Sequence, residues 1–236
     1  MLMISNVTKK YGKLVANDNI SFFVDAGEIS LLLGPNGAGK STLIKCISGL
    51  LKFTGTVEIC GNYNKSLQAK RDLGYIPEVP ALYDMLTVWE HMEFIARAYS
   101  LKNWKNRAET LLERFQLDDK KKKLGRELSK GMQQKLSICL GFLPEPKVIL
   151  FDEPMVGLDP HAIKELKNMI IEQRQEGKAI LISTHILDSV NEFWNSVNIM
   201  MEGKIVASRK REDMEKTGED LEAIFFRITE GEKGEK

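Results

Sequence analysis

An α/β fold with a helical insertion is predicted from three observations. Short, continuous apolar runs of strand length recur in the first and last thirds of the chain. The middle carries apolar residues at helical spacing, and one apolar run opens into a glycine-rich loop and an amphipathic segment. At 236 residues the chain suits one large domain, with a core that needs no disulfide or metal to hold it.

In order, Met3–Val7 and Ile20–Val24 alternate apolar and polar residues and predict two short strands. Polar residues around Gly12 and at Asn17-Asp18-Asn19 separate them. Ile29–Leu33 is apolar but for Ser30, as a strand buried on both faces would be. Leu43, Ile44, Ile47 and Leu51 then recur at helical spacing. Thr56–Cys60 and Leu73–Ile76 return to strand composition. Thr87 and Glu90 have the spacing of a capping box, with Val88, Met92, Ile95 and Tyr99 forming the apolar face behind it. Trp104–Phe115 predicts a second helix, with Trp104, Ala108, Leu111, Leu112 and Phe115 facing inward. A third begins near Gly131 and stops before Pro144 and Pro146. Val148–Asp152 is an apolar strand ending on carboxylates, and Asp159-Pro160 is a helix start, with Asp as cap and Pro in the first turn. Ala179–Ser183 predicts a buried strand followed by a helix to about Trp194. Val197–Met201 and Lys204–Ser208 flank Glu202-Gly203 as a hairpin, and the charged end after Gly231 predicts fraying.

Composition excludes several classes. Net charge is +1, so no strong field draws nucleic acid or anionic lipid to the whole molecule. The basic run Lys120–Lys123 reads as a solvated loop. No stretch reaches the roughly 18 apolar residues of a membrane span, and the N-terminus lacks the pattern of a secretory signal. Cys46, Cys60 and Cys139 form no CxxC pair and read as small core residues in a reducing compartment. A cytoplasmic protein is expected, any membrane role coming through a partner.

The first chemical motif is Gly34-Pro35-Asn36-Gly37-Ala38-Gly39-Lys40-Ser41, followed by Thr42, which fits G-x-x-x-x-G-K-[ST]. Glycines let successive N–H groups converge on phosphate oxygens, and the following helix adds the partial positive charge of its N-terminus. Lys40 supplies a point charge for the β- and γ-phosphates, and Ser41 an oxygen for Mg²⁺. A glycine-rich turn that binds nothing is the alternative, but Lys-Ser at those positions has no packing rationale. The second motif is Asp152-Glu153 at the end of an apolar strand, where Asp152 would hold the metal and Glu153 polarise the attacking water. Alone, such a pair before Pro154 could equally cap a strand.

A third element narrows the field. Leu128-Ser129-Lys130-Gly131-Met132-Gln133-Gln134 resembles the signature motif of ABC ATPases. Gly157-Leu158-Asp159 is similar to their D-loop, His185 in Ile182-Ser183-Thr184-His185 to their switch histidine, and Tyr11 to the aromatic residue that stacks on adenine. The resemblance covers the whole chain. It implies one ABC ATPase domain over 1–236: a P-loop NTPase (RecA-like) core with a mostly parallel sheet, an N-terminal antiparallel β subdomain, a helical subdomain over about 79–146 and a C-terminal tail over 209–236. It implies ATP and Mg²⁺ as ligands, with Lys40, Glu153 and His185 catalytic and Ser41 and Asp152 on the metal. Ser129, Lys130 and Gly131 are then offered in trans to the nucleotide of a second ATPase subunit, most simply an identical copy, and Asp159 lies at the dimer contact. The implied partner is an integral-membrane transporter subunit, which would hold this chain on the cytoplasmic face of the membrane and be met by Leu82, Tyr83 and Trp89 within 78–101. Trp89 reads equally well as core.

Two positions depart from the usual family pattern. Lys130 stands where glycine is common in the signature, and Glu78 stands where many members carry the Q-loop glutamine. Ionised Glu only accepts, but it can still bind Mg²⁺ or water. Ile76-Pro77-Glu78, Pro80, Leu82-Tyr83, Leu86-Thr87, Glu90-His91 and the segment Leu221–Phe225 resemble bacterial export-type ABC systems of the Ecs type. ABC ATPases that act on DNA or ribosomes are the rival reading, and a silent nucleotide-binding regulator a further one. The former generally carry a long coiled coil or two ATPase halves, whereas this chain has one phosphate loop and no sustained heptads.

Overall fold

The computed structural model describes residues 1–186, 190 and 193–230. β1 (Leu2–Tyr11) and β2 (Leu14–Val24) form an antiparallel hairpin turned at Gly12-Lys13; β1 is longer at both ends than the apolar alternation predicts, and β2 is longer at its start. Its polar middle stays in the strands because Asn6 and Asn19 take positive φ and pair through their amides at 2.8 Å, forming a bulge that keeps Val7 and Ile20 inward. Asn17, expected in a loop, is fully buried within β2.

β3 (Ile29–Leu33) enters a second sheet, and α1 (Lys40–Ile47) follows it. β4 (Thr54–Ile59) and β5 (Asn62–Tyr63) return to the first sheet, giving the order β2-β1-β4-β5. Cys60 falls just outside β4 at positive φ and is only half-buried, so of the three cysteines Cys46 and Cys139 alone are core residues. A short helix α2 (Leu67–Asp72), capped by Ser66, leads into β6 (Leu73–Ile76).

The helical stretch begins with α3 (Val88–Ala98), where Thr87 and Glu90 form the expected capping box. α4 (Trp104–Arg114) and α5 (Lys130–Phe142) follow, joined by two short 3-10 turns. Backbone bonds from Val88, Trp89 and Gly125 to Lys123, Lys121 and Leu86 stitch the start of α3 to the chain that leads into α5. β7 (Val148–Asp152), α6 (Pro160–Gln175) and β8 (Ala179–Thr184) rebuild the second sheet. Arg114 bridges α4 to α6 through Glu165 and, by two bonds of 2.8 Å, Glu172. The helix expected after β8 falls largely on residues outside those described. β9 (Ser196–Met201) and β10 (Lys204–Lys210) form the hairpin at Glu202-Gly203. The segment 209–230 ends β10 and then carries α7 (Arg211–Thr217) and α8 (Leu221–Glu230), which bury Met214, Leu221, Ile224 and Phe225. The end expected to fray, after Gly231, lies outside the described residues.

The second sheet has the order β10-β9-β3-β8-β7-β6, parallel throughout except for edge strand β10. Its inner strands are mostly apolar because each face meets a core, with buried Ser30, Asp152, Ser183, Thr184 and Asn198 as polar exceptions. Ile29, Leu31, Leu33, Ile149, Phe151, Ile180 and Ile182 point into one cluster with α3–α6. Leu32, Val148, Leu150, Ala179 and Leu181 point into the other, with α1 and the first sheet. The carboxyl ends of β3, β7 and β8 therefore emerge together, which is where an open α/β sheet binds ligands.

Candidate functional site

The loop from Gly34 to Gly39 leaves β3 and delivers Lys40 and Ser41 at the start of α1. Gly39 has φ +102, and a Cβ there would stand 2.4 Å from the carbonyl oxygen of Ala16, so only glycine fits. Asn17 holds the same turn by donating its amide to the Gly39 carbonyl at 3.0 Å, and Gly203 N–H donates to the Ala38 carbonyl at 3.0 Å. The phosphate loop is thus braced by both β hairpins.

Lys40 is buried; its Nζ donates to the carbonyls of Gly34 (2.6 Å) and Pro35 (3.2 Å) and lies 3.6 Å from Glu153 Oε1. Burial lowers its proton affinity below the ordinary lysine value, and the Glu153 carboxylate opposes that shift. Ser41 Oγ donates to Asp152 Oδ1 at 3.0 Å. Asp152 ends β7 and is buried; the same oxygen accepts a second bond, of 2.6 Å, from Ser183 Oγ on β8. Glu153 follows at φ +47, its N–H donating to the Ser183 carbonyl at 3.1 Å. Its Oε1 lies 2.9 Å from His185 Nδ1.

Lys40, Ser41, Glu153 and His185 line one cleft of about 690 Å³, within the range of ligand sites. Tyr11, Asn36, Gly37, Ala38, Gly39, Lys40, Ser41, Thr42, Glu78, Glu153 and His185 face it, and Glu202 and Gly203 form part of its rim. Gly34 and Pro35 stand behind as acceptors for Lys40, and Asp152 behind Ser41. Tyr11 is half exposed, with the Lys9 ammonium 4.6 Å from its ring centroid.

Ser129, Lys130 and Gly131 are not among the residues lining the cleft. Ser129 caps α5, its Oγ accepting from Met132 N–H at 3.3 Å, and Ser129 and Lys130 are exposed. Gly131 abuts the Gly157 turn, where an added Cβ would come 2.9 Å from the Gly157 carbonyl oxygen. Asp159 caps α6 through Ala162 N–H at 2.9 Å and pairs with Lys135 Nζ at 2.6 Å, which holds its carboxyl below the usual aspartate value. Residues 129–131 and 157–159 therefore share a second surface.

Of the residues expected to meet a partner, Leu82 and Trp89 pack against the core, Trp89 with its ring 5.2 Å from that of Trp104. Tyr83 is exposed, as are Val79, Met85 and Phe94. Asn17, Ser183 and Gly203 support the site without having been singled out in the sequence. Bonds between residues far apart in the chain reveal them.

Comparison with known proteins fits this geometry. The family model described as "ABC transporter" matches residues 17–156. The ABC-type transporter ATP-binding protein EcsA of Bacillus subtilis is 35% identical over 99% of this chain and 98% of its own length. The lantibiotic transport ATP-binding protein SrtF of Streptococcus pyogenes is 33% identical over 95% and 96%. A solved ATP-binding subunit of an ABC transporter superposes with a TM-score of 0.91 at 35% identity, covering 97% of this chain and 99% of that one. An ATP-binding cassette solved in its ADP conformation gives 0.77 at 28%, covering 97% and 98%. The P-loop fold, the nucleotide cleft and these relatives agree: the chain belongs to the ABC transporter family and is an ATP-binding, ATP-hydrolysing subunit of that kind.

Proposed function

We propose that the chain works as one of two head-to-tail cassettes, each completing the other's nucleotide site, and that hydrolysis moves a substrate through a separate membrane subunit. One observation carries the reading. A single chain gathers the phosphate loop, Asp152, Glu153 and His185 at one cleft, while Ser129, Lys130 and Gly131 stand outside it on an exposed helix start. The N–H groups of that start, with the field of α5 behind them, suit the γ-phosphate of ATP held by a second copy.

Within the cleft, Lys40 would exchange its two carbonyl partners for charged phosphate oxygens, which make stronger bonds to an ammonium than neutral carbonyls do. Glu153 would take the proton of the attacking water. His185 Nδ1 is engaged by Glu153, so donating from Nε2 to a phosphate requires either a second ring proton or a turn away from Glu153. Tyr11 would stack on the base.

The donor set suits Mg²⁺. Ser41 and Asp152 offer hard oxygens 3.0 Å apart, close to the ~2.9 Å that separates adjacent octahedral ligands at 2.0–2.1 Å from the ion. Glu78 faces the same cleft. When bound, Mg²⁺ supplies charge neutralisation at the phosphates; Ser41, Asp152 and Glu78 would hold it, with phosphate and water completing its shell.

We assign 1–236 to one ATPase domain, with 79–146 its helical part and 209–236 its C-terminal segment. Among the described residues no helix is long and apolar enough to cross a membrane, so attachment to the cytoplasmic face would run through the partner. The exposed apolar side chains of Val79, Tyr83, Met85 and Phe94 are the surface offered to it. Export is the favoured direction because relatives include proteins named for lantibiotic transport and for SkfA peptide export.

The test is purification of tagged Glu153→Gln protein from detergent-solubilised host membranes with ATP and Mg²⁺. Stoichiometric recovery of a polytopic membrane protein is expected. Recovery of ribosomes, DNA or no partner, with the ATP-bound dimer intact, would overturn the transport reading.

A further inference from the structure

We propose that Ser183 is the positioning residue for both carboxylates of the cleft, and that its hydroxyl sets the affinity of the site for the metal–nucleotide complex. The inference rests on the roles proposed above for Asp152 and Glu153.

Ser183 is fully buried in β8, directly across the parallel ladder from Asp152. The preceding residues Ala179–Ile182 are apolar and fully buried, so a hydroxyl here interrupts an otherwise apolar strand. A hydroxyl has one proton to donate and two lone pairs to accept with. Ser183 spends its proton on Asp152 Oδ1 at 2.6 Å and accepts from Glu153 N–H at 3.3 Å. Its own carbonyl takes the same Glu153 N–H at 3.1 Å.

Two consequences follow. Asp152 Oδ1 receives two hydroxyl donors, Ser41 and Ser183. Once Ser41 turns its oxygen to a metal, Ser183 is left to fix the rotation of the Asp152 carboxylate. Glu153 has φ +47, a backbone conformation that non-glycine residues rarely adopt. Its N–H is tied to Ser183 by both the carbonyl and the hydroxyl, and that tie aims the side chain toward His185 and Lys40. One side chain therefore orients the proposed ligand and the proposed base together. Outer hydrogen bonds to metal-binding carboxylates typically govern affinity by 10–100-fold.

The experiment uses the full chain with Ser183→Ala, Ser183→Cys and Ser183→Thr. Cys fills the volume of Ser but is a weak donor, whereas Thr keeps the hydroxyl and suits a strand. Mn²⁺ binding in the presence of ADP is read by electron paramagnetic resonance. Mg²⁺ activation of ATP hydrolysis and metal-free binding of a fluorescent ATP analogue are measured alongside. Ser183→Ala and Ser183→Cys should weaken Mn²⁺ about tenfold or more and raise the Mg²⁺ needed for half-maximal rate by the same factor, leaving metal-free nucleotide affinity unchanged. Ser183→Thr should recover most of the loss. Wild-type metal affinity in Ser183→Cys overturns the inference, as does equal loss in Ser183→Thr. Asp152→Asn separates the two layers: retained Mn²⁺ binding there sinks the underlying reading, whereas loss there beside a normal Ser183→Cys sinks only this one.

Discussion

The phosphate-loop face and the signature face are built on opposite principles. On the first, polar groups in and behind the cleft satisfy one another: Lys40 on the carbonyls of Gly34 and Pro35, Asp152 on Ser41 and Ser183, Glu153 on His185. On the second, Ser129 caps its own helix, Lys130 is exposed, and Asp159 is consumed by Lys135 and by the start of α6. One face is concave and preorganised, and it can take a ligand alone. The other is an exposed edge which, on the head-to-tail reading proposed above, would act on the nucleotide of a second copy. Nucleotide affinity and nucleotide turnover should therefore separate under mutation.

Glu153→Gln should produce the largest effect, a loss of hydrolysis of about 10²–10⁴ with ATP binding retained. The protein should then shift from monomer to dimer when ATP is added, as read by light scattering; a monomer at saturating ATP would erase the contrast between the faces. Gly131→Ala probes the second face by pushing a methyl group against Gly157. Introduced into Glu153→Gln, it should abolish that ATP-driven dimer while leaving nucleotide affinity within about twofold, since Gly131 lies outside the cleft. Equal losses of binding and assembly would show that the faces are not independent.

Tyr11→Ala should weaken ATP about tenfold, the scale of one lost base stack, with kcat at saturation little changed. Ser129→Ala removes an N-cap worth about 1 kcal/mol, which lowers the melting temperature by about 2–4 °C in a chain of this length; its effect on dimer formation should exceed its effect on stability. The smallest signal is at Asp159, whose carboxyl Lys135 holds below the usual aspartate value. Its contribution to stability is full above the ordinary value and lost as pH falls through the lowered one. Lys135→Met should raise the Asp159 midpoint in an NMR titration toward the ordinary value and cost stability at neutral pH, not below that window.

Strands of the second sheet were legible because their side chains are nearly all apolar: the bounds read for Ile29–Leu33, Leu73–Ile76 and Val148–Asp152 are those observed, although Ser30 interrupts the first and the second forms an edge of the sheet. The outer hairpin was read too short because the bulge at Asn6 and Asn19 lets polar residues occupy strand positions. α2 has six residues and no apolar stripe, so its cap at Ser66 was the available sign. The lining of the cleft was legible where its residues belong to a local motif, as from Asn36 to Thr42. Asn17 and Ser183 act on residues 22 and 31 positions away, through pairings that no local pattern encodes.

The central position of β3 sets a limit on when the protein can first hold its nucleotide. β3 leads into the phosphate loop, yet both of its ladder neighbours, β8 and β9, lie in the last quarter of the chain. Gly203 must also arrive to secure the Ala38 carbonyl. A ribosome adding about 5–20 residues per second takes roughly 10–30 s to travel from Lys40 to Gly203. Throughout that interval the glycine-rich segment is made but has no sheet to stand on. ATP, abundant in the cell, can therefore reward the finished fold but cannot guide the first half of the chain toward it.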